Sequence, residues 1–242
     1  MEKHRGRGVG GGASTLSSEL YEQLRRDIMT GVIKPEEKLR IDNLKERYGL
    51  GGSSPLREAL SRLAAEGIVI RQDQRGFQVP PVSIDDLAEL TRTRVLVYEV
   101  ALREAIANGD MQWEENIVVA FHRLSRTPAY LDEETKTENP EWSVLHREFH
   151  RSLVSACHSR FLMGFMDSLF DLADRYRFLS MRSSSRTNQQ LIEGHRALME
   201  AVIERDTDRA INLIKTHIGQ TIAEASRQGA PHHESQAAVR PS

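Results

Sequence analysis

The run Arg47-Tyr-Gly-Leu-Gly-Gly-Ser-Ser-Pro-Leu-Arg-Glu-Ala-Leu-Ser-Arg-Leu63 restricts the fold of this chain more than any other segment. A short helix, about Ile41 to Tyr48 with Leu44 as its anchor, runs into a turn made by Gly49, Gly51 and Gly52. Ser54 can cap a second helix, and Pro55 suits its first turn, where an N–H has no partner anyway. Leu56, Ala59, Leu60, Leu63 and Ala64 then recur at i, i+3, i+4, i+7 and i+8, so one stripe faces a core. Arg57 and Arg62 lie off that stripe, and Arg62 is expected to pair with Glu58 one turn away. Gly67 stops the helix, and Ile68–Val79 reads as a β-hairpin with basic residues. Helix, turn, helix and hairpin in this order make a winged helix-turn-helix. An ordinary amphipathic helix before a hairpin would not explain the order.

Such a second helix, docked by its apolar stripe, can enter a DNA major groove. Arg57 is placed to reach a base edge, because a guanidinium pairs two donors with guanine O6 and N7. Ser53 and Ser54 can donate to phosphate. Arg40 and Lys45 flank the first helix of the motif and can clamp the backbone. Arg75 and Gly76 form the wing tip, where glycine permits close approach to a minor groove. One such head offers few contacts, so double-stranded operator DNA read by a homodimer over two half-sites is the expected arrangement.

Net charge is −2 over 242 residues, which does not by itself advertise nucleic-acid binding. The charge is uneven: residues 1–80 carry 14 Lys+Arg against 11 Asp+Glu, and residues 81–242 carry 19 against 24. A basic head on an acidic body results. The single cysteine, Cys157, has no internal disulfide partner, which suits a reducing cytoplasm. No apolar run is long enough to span a membrane, and the N-terminus lacks a secretory core. Residues 1–15, rich in glycine with Lys3, Arg5 and Arg7, read as a disordered arm, and residues 229–242 as a disordered tail.

The DNA-binding domain is expected over 16–80, with its first helix starting at Ser17 or Ser18, carrying Leu20, Leu24 and Ile28, and ending at Gly31. Pro80-Pro81 is a stiff linker. Ser83 caps the next helix, with Asp86 in capping-box position. Over 83–228 every periodic stretch reads as helix: 84–108, 113–124, 141–157, 160–182, 188–204 and 207–226. Thr127–Asn139 reads as a loop. The fold class is therefore mainly α, a winged helix-turn-helix followed by an all-helical bundle.

His146 and His150 share one helix face at i, i+4 spacing, which lets two imidazoles bind one metal ion. His195 and His217 on later helices can complete a set inside a bundle. Packed or exposed histidines are the ordinary alternative, and His122 and His158 are read that way. No nucleophile–base–acid arrangement is visible. A hydrolase-like metal enzyme bearing a DNA-binding head is the rival class, with Glu148 and Glu193 as its available acids or bases.

Several segments carry a family resemblance. In the head they are Gly31-x3-Pro35-x2-Lys38-Leu39, Pro55-Leu-Arg-Glu-Ala-Leu60, Glu66-Gly67 and Arg75-Gly-Phe77. In the body they are Arg94, Phe149-His150, His195 with Ala201, and Asp206-x3-Ala210-x6-His217. The chain resembles GntR-family bacterial transcription regulators, in the branch with an all-helical FCD ligand-binding domain, over about residues 17–228. Glu37-Lys-Leu-Arg40, Arg47-Tyr48, Leu145-His-x2-Phe-His150, Leu169-Phe-Asp-Leu-Ala173 and Arg175-Tyr-Arg-Phe178 are similar to the carbon-starvation, glutarate-responsive subgroup.

The resemblance implies a cytoplasmic, dimeric repressor released by a small carboxylate such as glutarate. It implies a divalent metal on His146, His150, His195 and His217, with Arg94 as carboxylate partner and Tyr176 and Arg177 as a second polar group. Salt bridges from these arginines to Asp171 or Asp174 are the structural alternative. The sequence departs from the family twice. Relatives write Ser-Arg-Thr-Pro before the second motif helix, whereas this chain has Gly51-Gly-Ser-Ser-Pro55, which suggests an altered operator. Most relatives have Asp or Asn at the position of His146, so the set here is all nitrogen and suits zinc or nickel.

Overall fold

The computed structural model describes residues 15–72, 76–182 and 184–227. The chain divides into two compact units between Pro80 and Pro81. Of the expected arm, residues 1–15, all but Thr15 lie outside the described residues, as do the expected tail over 229–242 and Arg75.

The first unit orders as α1 (Leu16–Met29), β1 (Lys38–Leu39), α2 (Ile41–Arg47), α3 (Ser54–Ala65), β2 (Ile70–Gln72) and β3 (Gly76–Gln78). Thr15, not Ser17 or Ser18, caps α1, its hydroxyl accepting from the Ser18 N–H. At α3 the cap position falls to Ser53 rather than Ser54, and its side chain makes no capping bond. Leu24, Ile33, Leu56, Leu60 and Leu63 are fully buried between the helices. Hydroxyls fasten the helices further: Tyr21 donates to Glu66 and Tyr48 to Asp27, both at 2.7 Å. The strands form a sheet in the order β1-β3-β2, with Leu39 opposite Phe77 and Arg71 opposite Phe77 on the other side. Arg62 does not pair with Glu58. It lies 4.0 Å above the Tyr21 ring, and Glu58 accepts from the Ser17 hydroxyl at 2.9 Å. The long Arg62 stem thereby covers aromatic surface that the helix pair leaves open.

The second unit orders as α4 (Ile84–Asn108), α5 (Met111–Arg126), β4 (Tyr130–Asp132), β5 (Thr137–Glu138), α6 (Pro140–Val154), a 3-10 turn (Ser155–Cys157), α7 (Arg160–Arg182), α8 (Asn188–Ile203) and α9 (Thr207–Arg227). The Ser83 hydroxyl caps α4 by accepting from the Asp86 N–H. Thr187 and Gln190 form a reciprocal capping box on α8. Leu102, Ile117, Phe149, Leu153, Leu198 and Ile214 lie at the centre of the bundle. The segment expected as a loop holds the antiparallel hairpin β4–β5, with Tyr130 opposite Glu138. Strands of three and two residues are too short to display a period of two. The Asp132 carboxylate, which accepts from the Glu134 and Thr135 N–H groups, shapes the turn.

One glycine in this unit is required by close approach. A Cβ on Gly109 would stand 2.0 Å from the Trp113 ring. That ring is buried and donates from Nε1 to the Ser152 carbonyl at 2.9 Å, which fastens α5 to the end of α6.

Candidate DNA-facing surface and buried histidine cavity

In the first unit, the buried stripe of α3 leaves Arg57 fully on the outside, one turn from the helix start. Ser54 is exposed and Ser53 half-buried beside it. Arg40 is exposed at the cap position of α2, and Lys45 lies half-buried in its last turn. Gly76 is exposed at a φ of +86°, in the left-handed region that favours glycine. Arg71, exposed on β2, adds a cation to the wing that the sequence reading did not single out. Its place on a three-residue strand gave no periodicity to mark it.

In the second unit, α6 carries His146 and His150 one turn apart, both facing inward. His195 on α8 is 1% exposed, and His217 on α9 is half-buried. One ring nitrogen from each of these four residues lies within 4.8 Å of the others. The Nε2 atoms of His146 and His150 are 3.1 Å apart. His195 Nδ1 approaches the Leu191 carbonyl at 2.6 Å. A carbonyl oxygen only accepts, so Nδ1 carries the proton and Nε2 keeps a lone pair. That Nε2, with His146 Nδ1 and His150 Nδ1, is buried without a hydrogen-bond partner. Burial holds all four rings neutral: His195 is pushed down to about 4, and the other three fall well below the usual histidine range.

This arrangement fits a divalent cation. Buried polar nitrogens normally have partners. Here neutral imidazoles from separate helices converge with a lone pair unspent, and the fixed proton on His195 orients that ring as a carbonyl contact does for metal-ligating histidines. Two nitrogens on one zinc, each at about 2.0–2.1 Å, stand about 3–4 Å apart. The His146–His150 separation lies in that span. Trp142 stacks on His146, with centroids 4.6 Å apart and planes 22° off parallel.

A cavity of about 40 Å³ opens beside the rings, lined by Arg94, Arg177, Arg186, Trp142, His146, His195 and His217 among others. Arg94 has its Nε buried without a hydrogen-bond partner and stands 5.7 Å from the Phe170 ring. Burial lowers its pKa, with Tyr98 and Asp174 opposing that effect. An unspent buried guanidinium donor is the group a carboxylate would satisfy.

The other two effector candidates are placed differently from Arg94. Arg177 lines the cavity, but its fork is spent: Nε pairs with Asp174 at 3.0 Å, one terminal nitrogen with Glu138 at 2.7 Å, and the other donates to the Ser143 hydroxyl at 3.3 Å. Burial would lower its pKa, yet Asp174 and Glu138 together raise it, so it stays charged. Of the two acids considered, Asp174 is its partner, and Asp171 instead pairs with Arg147 at 2.5 Å. Tyr176 does not line the cavity. It is buried with Ile84 and Leu87, and its hydroxyl accepts from Arg175 at 3.4 Å. Neighbouring residues on a helix diverge by about 100°, so adjacency to Arg177 carried Tyr176 away from the site.

Trp142 and Arg186 are among the cavity residues that escaped the sequence reading. Trp142, one turn before His146, was available to the same i, i+4 argument. Arg186 lies on the connection before α8, where no periodicity operates; it pairs with Glu224 at 2.9 Å. The proposed acids of the rival enzyme are both exposed: Glu148 pairs with Arg123 at 3.0 Å, and Glu193 accepts from Gln189 at 2.8 Å.

Comparison with known proteins agrees with these units. Residues 16–79 match the model described as bacterial regulatory proteins, gntR family, and residues 89–220 match the FCD domain. The HTH-type transcriptional regulator BphR of Paraburkholderia xenovorans (strain LB400) is 37% identical over 213 residues, 86% of this chain and 84% of its own length. The HTH-type transcriptional repressor GlaR of Escherichia coli (strain K12) is 37% identical over 201 residues, 82% of this chain and 90% of its own. Among solved structures, E. coli McbR/YncC shares the fold with a TM-score of 0.68 at 21% identity, covering 90% of this chain and 100% of that one. These relatives are transcriptional regulators and lend the enzyme alternative no support. The chain belongs to the GntR family of bacterial transcriptional regulators, in the branch that carries an FCD domain.

Proposed function

We propose that this regulator is a dimeric, metal-containing repressor of the cytoplasm whose hold on operator DNA is released by a small dicarboxylate, with glutarate as the first candidate. The observation that carries the proposal is the unspent Nε of Arg94 in one cavity with a convergent set of neutral imidazoles. The head, residues 16–80, reads DNA through Arg57, with Ser53, Ser54, Arg40, Lys45, Arg75 and Gly76 positioning it. The body, residues 83–228, holds the effector and the partner subunit.

His146, His150, His195 and His217 would hold the ion, which when bound supplies a positive contact for a carboxylate. An all-nitrogen set favours zinc or nickel over magnesium or calcium, which prefer oxygen. Arg94 binds and orients the anion, while Arg177 stays committed to Asp174 and Glu138. Repression is favoured by the 37% identity to a protein named as a repressor, and glutarate by the short segments shared with the glutarate-responsive subgroup.

A mobility-shift titration on the promoter of its own gene tests this. The wild type shifts the fragment, glutarate reverses the shift, and Arg57→Ala binds more weakly by about 1–3 kcal/mol per half-site. A folded Arg57→Ala protein with unchanged affinity would remove that residue from the interface, and indifference to C4–C6 dicarboxylates would remove the effector class.

A further inference from the structure

Three guanidiniums and three carboxylates meet around the histidine cavity. Arg94, Arg177, Arg186 and Asp174 line it, and Glu138 of β5 and Glu224 of α9 stand behind two of them. Arg177 donates to Glu138 at 2.7 Å and to Asp174 at 3.0 Å. Arg186 grips Glu224 through two nitrogens, at 2.9 and 3.2 Å. Guanidiniums keep their protons in protein interiors, and imidazoles ligate metal in their neutral form. Among the described residues, the charged side chains that line the cavity and these ion-pair partners therefore cancel. A divalent ion on the proposed histidine site adds two positive charges, which a dianion balances.

Among these acids, Asp174 and Glu224 belong to helices of the bundle, whereas Glu138 is brought in by the β4–β5 hairpin. One of its carboxylate oxygens accepts from Arg177 and from the Ser143 hydroxyl. The other is buried without a hydrogen-bond partner. A neutral amide would offer Arg177 and Ser143 the same acceptor. It would not offer the negative charge, and a buried carboxylate oxygen without a partner is costly to keep. Glu138 therefore stands at this wall as a counter-charge more than as an acceptor. Asp174 alone would already balance Arg177, so the charge of Glu138 offsets a second guanidinium of the same cavity.

We propose that Glu138 sets the charge of the anion this cavity takes, acting through Arg177 rather than by touching the ligand, and that it holds the site to a dianion. An unmatched charge is expensive in a buried site. A monoanion leaves one positive charge unbalanced beside the ion, and a trianion leaves one negative charge. Without the Glu138 charge the balance moves by one unit toward the trianion. This inference rests on the carboxylate effector of the proposed function and names the residue that selects its valence.

Calorimetric titration with three probes tests it: butyrate, glutarate and propane-1,2,3-tricarboxylate, at about pH 8, where every carboxyl is ionised. Wild type and Glu138→Gln are each titrated loaded with zinc and again after the ion is removed, with circular dichroism as the check on folding. Zinc-loaded wild type binds glutarate best. Glu138→Gln keeps the acceptor and removes the charge, so its affinity relative to wild type rises with the charge of the probe, on the order of tenfold per carboxylate for charges about 10 Å apart at an effective dielectric constant of about 20. The preference of the loaded protein passes to the tricarboxylate. The ratio of variant to wild type keeps its dependence on probe charge without zinc, because the ion is common to both proteins. A purely structural role changes the affinity for all three probes by one factor, and that result in folded Glu138→Gln would overturn the proposal. Should Glu138→Gln fail the folding check, Glu224→Gln removes the counter-charge behind Arg186, and the absence of any rise with probe charge there would overturn it equally. A wild type that binds none of the three would overturn the carboxylate effector itself.

Discussion

Arg94 and Arg177 look equivalent as residue types, yet the cavity separates their roles. Arg177 is 15% exposed, and its partner Glu138 is 5% exposed. Replacing Arg177 by alanine strands Glu138 and Asp174, and removing one member of a buried pair costs about 3–5 kcal/mol. Arg177→Ala is therefore expected to lower the melting temperature without any ligand present. Arg94→Ala removes a guanidinium that interacts with the Tyr98 hydroxyl and leaves its Nε without a partner, so it breaks no paired carboxylate and should cost less stability than Arg177→Ala. Its loss should show as a vanished thermal shift with glutarate, since a ligand stabilises only the state it binds. A retained shift in Arg94→Ala would move the carboxylate anchor elsewhere. The histidines make a second case. His150→Ala and His146→Ala are both expected to purify with little metal by elemental analysis, against about one ion per wild-type chain. Metal retained in His146→Ala alone would show that the residue standing where relatives have a carboxylate is a bystander.

At the scale of elements, legibility followed period and length. The span of α4, 84–108, is visible in the sequence because its apolar positions recur over many turns and Ser83 caps it. The motif helices are visible for the same reason, together with Gly67 and Pro55. The hairpin β4–β5 is not visible, because two short strands offer no alternation and their stability comes from elsewhere: Asn188 accepts from the Ala129 N–H at 2.8 Å, and Glu138 binds Arg177. The histidine set was half visible. The i, i+4 pair on α6 can be read directly, but its union with His195 and His217 depends on how α8 and α9 pack. Tyr176 lies with Ile84 and Leu87 rather than on the cavity wall, because sequence adjacency to Arg177 says nothing about direction around a helix. One junction outruns sequence reasoning altogether. Gly109 closes α4, and its lack of a side chain is what admits the Trp113 ring. Gly109→Ala should force that ring or the junction to shift, at about 1–3 kcal/mol as for other overpacked cores. Chemical denaturation would read this as a lower midpoint at constant slope. An unchanged midpoint would mean that the junction opens freely.

For the whole molecule, charge and linkage decide how the two units communicate. Residues 1–80 carry an excess of three positive charges and residues 81–242 an excess of five negative ones. With no net attraction from the body, the proposed reading draws affinity from local cations of the head, Arg40, Lys45 and Arg57 among them, in each copy of a dimer. A dimer neutralising about six phosphates should lose on the order of a thousandfold in affinity between 50 and 200 mM salt. A flat salt dependence would exclude these cations as the source of binding. The effector then acts only through a difference in its affinity for the DNA-competent and DNA-released arrangements, however tightly it binds Arg94. Because binding free energies are reciprocal, the factor by which glutarate weakens operator binding must equal the factor by which operator weakens glutarate binding, typically about 5–150-fold. Calorimetric titration of glutarate into free dimer and into dimer saturated with operator measures one side of that cycle. Operator titrations with and without glutarate measure the other. Equal factors make the dicarboxylate an allosteric inducer in the thermodynamic sense. If glutarate binds free and DNA-bound dimer equally, its site is not coupled to the head, and the release of operator has to be sought in a different ligand.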